Sequence, residues 1–228
     1  MSKLSAAKLA TVPETLHRSI QATSAEFRQL GRSGLRVSNP ILGGLQIGSS
    51  QWFPWVLDKE KALPLLKYAY DKGINTWDTA NIYSNGQSEV LMGKAMRKYN
   101  IPRRKLTLMT KCYRVWAPLA GGQLARAPEQ NGRTLRSIVN KNGAFYHNDG
   151  SDSEEIVRRV CEVARRRGWP MSHVALAWLN RRVTAPIIGF SSAERIDEAL
   201  AARGKVLTEE EERHLEEAYR PQDILGHA

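Results

Sequence analysis

The segment WDTANIYSNGQSE at residues 77–89, followed by LMTK at residues 108–111, places reactive side chains at the ends of apolar runs. It supplies a carboxylate at Asp78, a phenol at Tyr83 and an amine at Lys111. In parallel α/β folds, reacting groups collect at the carboxyl ends of strands and in the loops that follow them. Because an ammonium stabilises a nearby phenolate, and a carboxylate keeps that ammonium charged, the three groups suit proton donation to a carbonyl oxygen.

Strands and helices alternate on both sides of this segment. The apolar periodicity predicts a hairpin at 27–37, strands at 40–44, 74–79 and 106–110, and helices at 59–72 and 87–99. The resulting β-α-β-α-β order is typical of a parallel sheet or barrel.

The alternation breaks after the third strand. Residues 111–115 run directly into Trp116 with no helix between them, and the chain is polar and loop-like up to Gly150. Beyond that point the pattern predicts helices at 151–168, 171–179, 191–202 and 208–219, with a strand at 185–190. Ser/Thr-x-x-Glu motifs at Ser151, Ser191 and Thr208 predict capping boxes.

The chain is expected to form one folded domain at residues 26–228, because no linker divides it. Residues 1–25 are rich in Ser, Ala and Thr, and we expect them to form a disordered extension; a transit peptide is the weaker alternative.

Composition excludes several classes of protein. Of the 228 residues, 42% are hydrophobic, but no apolar run is long enough to span a membrane. The two cysteines fit neither a metal site nor a disulfide framework, which favours a reducing, cytoplasmic setting without a bound metal. The net charge of +11 is scattered along the chain, which argues against nucleic acid as a partner; it is compatible with an anionic cofactor but does not by itself indicate one.

The chain resembles the aldo-keto reductase superfamily in the order and position of four motifs. These are the strand that ends in glycines at 43–44, Asp-Thr-Ala at 78–80 with Tyr83, Ser-Glu at 88–89, and Thr-Lys at 110–111. Within the superfamily, the resemblance is to the fungal branch of aryl-alcohol dehydrogenases and reductases of aflatoxin-type polyketide pathways. APIIGFSSAERIDEAL at 185–200 resembles the family's dinucleotide-phosphate segment. The resemblance covers residues 26–228 in two blocks and implies an α/β fold of the TIM-barrel (β/α)8 type that uses NADPH without a Rossmann domain.

The resemblance also implies roles for individual residues. Tyr83 matches the proton donor, Lys111 the lysine that makes it acidic, and Asp78 the carboxylate beside that lysine. Among the cofactor positions, Gly44 and Leu45 match the end of the first strand, and Trp116 matches the aromatic that stacks on the nicotinamide. Leu119 and Gly121 match the loop around the pyrophosphate. The 2′-phosphate clamp is matched by Phe190, Ser191, Ser192 and Arg195, and the adenine contact by Glu198.

The phosphate clamp has independent physical support. Residues 189–192 lie at a strand-to-helix junction, where free backbone N–H groups and the helix dipole attract phosphate. Two serine hydroxyls and Arg195 add charge-assisted hydrogen bonds. Alternatively, Ser191 is only a helix cap and Arg195 a solvated side chain; the acid, phenol and amine elsewhere in the chain favour the phosphate interpretation.

The chain is short for the fold that the resemblance implies, since a (β/α)8 barrel takes roughly 250 residues. Of the eight strands of such a barrel, the chain has only segments that resemble the first, second, third, seventh and eighth. The segment that carries the other strands in the family is missing between Val115 and Trp116. That segment would carry the active-site histidine, and no histidine of this chain takes its place. Five strands cannot close such a barrel, so we expect an open sheet, poor stability, or completion by a homo-oligomer or another partner chain.

We therefore expect a truncated, NADPH-dependent oxidoreductase that reduces an aldehyde or ketone, aromatic or polyketide-derived, in secondary metabolism. Trp52, Phe53, Trp55 and Trp116 would wall an aromatic pocket. Core or loop packing is the alternative, and for Trp52 and Trp55 it explains the sequence equally well. The alternative is a catalytically impaired remnant that binds NADP(H) or pairs with a full-length relative.

Overall fold

The computed structural model describes residues 23–111, 124–126, 138 and 151–219, without the side chains of 151–153. The chain divides into two compact units. The first comprises residues 1–118 and 179–203, and the second comprises residues 119–178 and 204–228. The described helices are α1 (Lys59–Asp71), α2 (Gln87–Lys98), α3 (Ser151–Arg167), α4 (Met171–Asn180), α5 (Ala193–Leu200) and α6 (Glu209–Glu216).

The first unit begins with the predicted hairpin. Strands β1 (Glu26–Gln29) and β2 (Arg36–Asn39) pair antiparallel, and positive φ angles at Gly31 and Gly34 allow the turn between them. Just before β1, the backbone N–H groups of Ser24 and Ala25 both donate to the carbonyl of Lys72, at 2.9 and 3.0 Å. The end of the predicted extension is thus anchored, whereas residues 1–22 lie outside the described part of the chain.

A parallel sheet follows, as predicted, with β3 (Ile41–Gly43), β4 (Thr76–Asp78), β5 (Thr107–Met109) and β6 (Ile187–Gly189) in the spatial order β5-β4-β3-β6. Its register aligns the last residues of the strands, because Gly43 lies opposite both Asp78 and Gly189. Asp78 in turn lies opposite Met109. The residues after each strand therefore meet at one edge, which is the edge where α/β folds carry their sites.

Helices α1, α2 and α5 pack within the first unit. The buried face of α1 carries Ala62, Leu65, Leu66 and Ala69, which follows the predicted helical period. On α2, Leu91 and Met92 are buried, whereas the apolar Val90 between the predicted helix start and these residues is 42% exposed. Residues 91, 92 and 95 already define the inward stripe, and position 90 lies off that stripe.

The second unit has a separate core formed by α3, residues 171–178 of α4, and α6. Val163 and Val174 are fully buried in it, and Leu215 of α6 packs against them. Arg167 donates two hydrogen bonds to Glu211, both 2.6 Å long, and this guanidinium lowers the pKa of the Glu211 carboxyl to about 2.

Two of the three predicted capping boxes can be compared with the structure. The one at Thr208 is confirmed, because its hydroxyl accepts from the Glu211 N–H while the Glu211 carboxylate accepts from the Thr208 N–H. The one at Ser191 is wrong: α5 begins at Ala193 with Ser192 as its N-cap, so Glu194 stands one position too early to close the box.

The described strands account for the predicted first, second, third and eighth strands of a barrel. A strand resembling the seventh is not among the described residues. Within the part of the chain that the structure covers, no helix is long and apolar enough to cross a membrane.

Candidate active site

Three predicted catalytic residues come together at the carboxyl edge of the sheet. The ammonium of Lys111 donates to Asp78 Oδ2 at 2.6 Å, and it lies 4.9 Å from the centre of the Tyr83 ring. All three side chains are largely removed from solvent, with Asp78 6% and Tyr83 8% exposed as whole residues and the Lys111 side chain 22% exposed. An amine, a carboxylate and a phenol therefore share one sheltered site.

Strand pairing explains why these residues meet. Asp78 is the last residue of β4, and the backbone N–H of Thr79 continues the ladder by donating to the carbonyl of Met109 at 2.9 Å. Two residues further on, the Asn81 N–H donates to the carbonyl of Lys111 at 3.3 Å. The Lys111 ammonium makes a second hydrogen bond, of 2.9 Å, to the carbonyl of Thr79. Backbone and side-chain bonds thus fix the lysine over the end of β4.

The turn that begins at Tyr83 is strained. Ser84 and Asn85 have φ angles of 49° and 51°, and Gly86 has a φ of 87°. Non-glycine residues adopt this left-handed conformation only at a steric cost, and such residues cluster at functional sites. The first two residues of the turn, Tyr83 and Ser84, are buried.

Contact with the loop after β3 holds the strained turn in place. Ser84 is 3% exposed, and its hydroxyl accepts a 3.2 Å hydrogen bond from the backbone N–H of Ser49. A Cβ on Gly48 would lie 2.0 Å from the Ser84 hydroxyl, so only glycine allows the two loops this close. The position of Tyr83 thus depends on residues well before it in the chain.

A chain of buried hydroxyls connects the end of β4 to the end of β3. The Thr79 hydroxyl donates to the Ser88 hydroxyl at 3.0 Å, and the Ser88 hydroxyl donates to the carbonyl of Gly44 at 2.9 Å. Ser88 is fully buried at the start of α2. The Ser-Glu motif in the sequence therefore has a structural role: Ser88 ties the end of β3 to the segment after β4.

We predict that Gly44→Ala destabilises the protein, whereas Gly93→Ala in α2 stabilises it. A Cβ on Gly44 would lie 2.8 Å from the Asp78 backbone oxygen and 2.7 Å from the Met92 side chain, while one on Gly93 meets nothing closer than 3.9 Å. Overpacking costs about 1–3 kcal/mol, and replacing glycine by alanine in an open helical position gains about 0.5–1 kcal/mol. Denaturant midpoints of the two variants should shift in opposite directions; a loss of stability of equal size in both would contradict the close packing of Gly44.

The predicted phosphate clamp lies beyond β6. Phe190 is buried, Ser191 is exposed, and Ser192 is the N-cap of α5. A hydrogen bond from the Ser192 side chain lowers the pKa of the Glu194 carboxyl. Hydroxyls and free N–H groups at the start of a helix form a donor set that fits a phosphate.

Arg195 and Glu198, assigned to phosphate and adenine respectively, form an ion pair of 3.0 Å. The Arg195 side chain is 41% exposed, so its guanidinium can still be reached from solvent. Of the other predicted cofactor residues, Gly44 is buried and Leu45 is half-buried, whereas Trp116, Leu119 and Gly121 lie outside the described residues.

The aromatic residues after β3 contact one another. The Trp52 and Phe53 rings are 4.6 Å apart at 55°, and Phe53 stacks on Trp55 at 5.4 Å with an interplanar angle of 9°. All three are half-buried. They form a continuous aromatic surface on the loop that also carries Gly48.

Both described histidines, His173 and His214, belong to the second unit, whereas Asp78, Tyr83 and Lys111 belong to the first. His214 on α6 contacts Glu162 at 3.2 Å, and His173 is buried in α4. His17, His147 and His227 lie outside the described residues. No group of three or more His, Cys, Asp or Glu side chains in the described ranges is placed to hold a metal ion.

The sequence motifs assign no separate role to Gln46, Ser84 or Ser88, but the structure places Ser84 and Ser88 in contacts that hold the site and Gln46 beside Gly189. Ser84 and Ser88 were visible only within a longer motif, and Gln46 stands next to the predicted cofactor positions. Two glycines in the sequence indicate these positions, because Gly48 lies against Ser84 and Gly189 lies against Gln46.

Comparison with known proteins agrees with this architecture. The Aldo/keto reductase family model matches residues 41–117 and 113–220, and the two matches meet at the join predicted from the sequence. An aldo-keto reductase of Fusarium vanettenii is 39% identical over 370 residues, covering 100% of both chains. Since this alignment is much longer than the 228 residues present here, a long part of that relative has no counterpart in this chain.

Two further similarities extend this result. The versiconal hemiacetal acetate reductase of Aspergillus parasiticus is 28% identical over 337 residues, covering 87% of this chain and 98% of that protein. The solved structure of a thermostable aldo-keto reductase with the inhibitor epalrestat matches with a TM-score of 0.58 and 19% identity, covering 85% of this chain and 100% of that chain. This structural likeness confirms the predicted fold class, an α/β barrel type that is incomplete here.

The matched segments run from residue 41 to residue 220, and a relative of 39% identity aligns with the whole chain. The protein therefore belongs to the aldo/keto reductase family of oxidoreductases that act on carbonyl compounds, and it is a fragment of the full-length fold.

Proposed function

We propose that this protein reduces an aldehyde or ketone with NADPH, using Tyr83 as the proton donor. The observation that carries the proposal is the contact of one ammonium, that of Lys111, with both the Asp78 carboxylate and the Tyr83 ring. Family membership supports carbonyl reduction as the reaction class.

Each of the three side chains has a distinct task in this proposal. Tyr83 gives its hydroxyl proton to the carbonyl oxygen as that oxygen gains negative charge. The Lys111 ammonium stabilises the phenolate that remains. Asp78 keeps the ammonium charged and, together with the Thr79 carbonyl, fixes its position.

Bound NADPH would supply the hydride. The residues that would hold it are Gly44 and Leu45 at the end of β3 and Phe190, Ser191, Ser192 and Arg195 after β6, with Glu198 toward the adenine. The residues after β6 suit a 2′-phosphate, because two serine hydroxyls, the N-terminal end of α5 and an accessible guanidinium follow one another there along the chain. Trp116, Leu119 and Gly121 remain predicted contacts from the resemblance.

The proposed substrate class is an aromatic or polyketide-derived carbonyl compound of secondary metabolism. The stacked rings of Trp52, Phe53 and Trp55 offer an apolar surface for a flat substrate. The name of the Aspergillus parasiticus relative, versiconal hemiacetal acetate reductase, supports the same class.

The direct test is to mix the purified chain with NADPH and an aromatic aldehyde and to follow the loss of reduced-nicotinamide absorbance. We expect turnover that depends on both the aldehyde and the protein. Protein that quenches its tryptophan fluorescence on NADPH addition but shows no turnover would refute catalysis while leaving binding intact.

We predict that Arg195→Ala weakens NADPH binding about 10- to 100-fold, because a hydrogen bond to a charged group contributes about 1.5–3 kcal/mol. NADH lacks the 2′-phosphate, so its affinity should be unchanged. Fluorescence titration with both nucleotides measures the difference. Arg203→Ala is the control, since Arg203 forms a surface pair with Glu26 in the same unit. Equal losses for NADPH and NADH in Arg195→Ala would argue against the clamp.

A second candidate is a remnant that binds NADP(H) without turnover, or that pairs with its own copy or with a full-length relative to complete the barrel. Two observations favour it: the described sheet has only four parallel strands, and the family match consists of two segments. Light scattering of the chain alone, and after mixing with a full-length relative, would reveal such an assembly. A monomer under both conditions would exclude the pairing form, and turnover in the aldehyde assay would exclude the non-catalytic binder.

A further inference from the structure

We infer that Gln46 is a cofactor-contacting residue whose side-chain carbonyl accepts a hydrogen bond from the nicotinamide-side ribose of the dinucleotide. This inference rests on the proposed function, because it requires NADPH to lie along the carboxyl edge of the sheet. Neither the sequence motifs nor the family resemblance assigns a role to Gln46.

The first observation is an unsatisfied acceptor. Gln46 Oε1 is buried and has no hydrogen-bond partner among the residues that the structure describes. Burying an amide oxygen without a partner costs free energy, and the large majority of buried polar atoms in folded proteins are paired. A bound ligand with a donor at this position would remove that cost.

The second observation is that the neighbouring backbone leaves space for the Gln46 side chain. Gln46 ends the short turn Gly44–Gln46 after β3, and its backbone carbonyl accepts from the Leu57 N–H at 2.8 Å, so its main chain is fixed. A Cβ on Gly189 would lie 3.0 Å from Gln46 Oε1 and 3.1 Å from its Cδ. Glycine at the end of β6 thus leaves room for the amide, which lies between the ends of β3 and β6.

The third observation is the order of the strands. Lys111 follows β5, Asp78 ends β4, Gln46 follows β3, and the phosphate clamp follows β6. Neighbouring strands are about 4.8 Å apart. A dinucleotide that reaches from the clamp to the catalytic tyrosine must therefore pass over the end of β3.

The chemistry of the amide selects the group that it contacts. The middle of a dinucleotide contains phosphates, which only accept hydrogen bonds, and ribose hydroxyls, which can donate. An amide oxygen only accepts, so it pairs with a hydroxyl. The adenosine ribose carries the 2′-phosphate at the clamp beyond β6, which leaves the nicotinamide-side ribose for Gln46.

The test is binding of two ligands to Gln46→Met, which keeps the side-chain length but removes the acceptor. We expect the dissociation constant for NADPH to rise about 3- to 10-fold, as for the loss of one neutral hydrogen bond. Binding of 2′,5′-ADP, which reaches only the clamp, should not change. Gln29→Met, at an exposed glutamine of β1, is the matched control.

Three results would overturn the inference. The first is unchanged NADPH binding in Gln46→Met, and the second is an equal loss for NADPH and 2′,5′-ADP. The third is a wild-type protein that binds neither ligand, in which case the proposed function fails and the inference fails with it. If the wild-type protein binds both ligands, either of the first two results overturns the inference alone. Should Gln46→Met not fold, Gly189→Ala displaces the same amide and must show the same selective loss of NADPH binding.

Discussion

Tyr83→Phe should abolish carbonyl reduction while leaving NADPH binding intact. A positioned acid contributes about 10²- to 10⁴-fold to a rate, so we expect a loss of at least that order. The phenyl ring keeps the packing of Tyr83 and its contact with the Lys111 ammonium. Only the transferable proton is removed, and the structure should be unaffected.

Two measurements separate this result from a folding defect. Circular dichroism should be identical for the variant and the wild type, and fluorescence titration should give the same NADPH affinity. Tyr99→Phe, at the end of α2, is the control and should retain full activity. A Tyr83→Phe protein that retains more than a tenth of the wild-type rate would mean that another group donates the proton, since a positioned acid is worth about 10²-fold or more.

Lys111→Met should abolish activity and also destabilise the first unit. It leaves the Asp78 carboxylate, whose side chain is 9% exposed, without its cation and leaves the Thr79 carbonyl without a donor. Breaking a buried ion pair by removing one partner costs about 3–5 kcal/mol. Because the Lys111 side chain is 22% exposed, we expect a loss at or below the lower end of that range.

The double variant Lys111→Met/Asp78→Asn distinguishes catalysis from stability. Neutralising position 78 removes the unpaired charge, so part of the lost stability should return, while activity should stay absent. Denaturant midpoints and turnover together measure the two effects, and Lys94→Met on the exposed side of α2 is the control. Restored activity in the double variant would show that the ammonium has no catalytic role.

Much of the site was predictable because strands present their carboxyl ends along one edge. The alternation of apolar segments placed Asp78 and Lys111 at the ends of neighbouring parallel strands, and the structure joins them at 2.6 Å. The same reasoning placed residues 191–195 after the last strand. These predictions depended only on periodicity and on the parallel arrangement.

Features that depend on contacts between distant segments were not predictable. The left-handed turn at Ser84 is held by Ser49 and Gly48, and the position of the Gln46 amide depends on Gly189, which is far away in sequence. The capping box at Ser191 was wrong by a single residue, because the start of a helix is set by tertiary packing as well as by its motif.

The most direct test concerns the central claim, that this incomplete barrel still transfers a hydride and a proton to a carbonyl. It uses NADPH in which both hydrogens on the reactive nicotinamide carbon are replaced by deuterium. Incubation of the wild-type protein with an aromatic aldehyde, followed by mass spectrometry of the product, should show alcohol with one deuterium on the former carbonyl carbon. Tyr83→Phe should yield essentially none. Unlabelled alcohol, or no alcohol at all from a wild-type protein that binds NADPH, would contradict the claim.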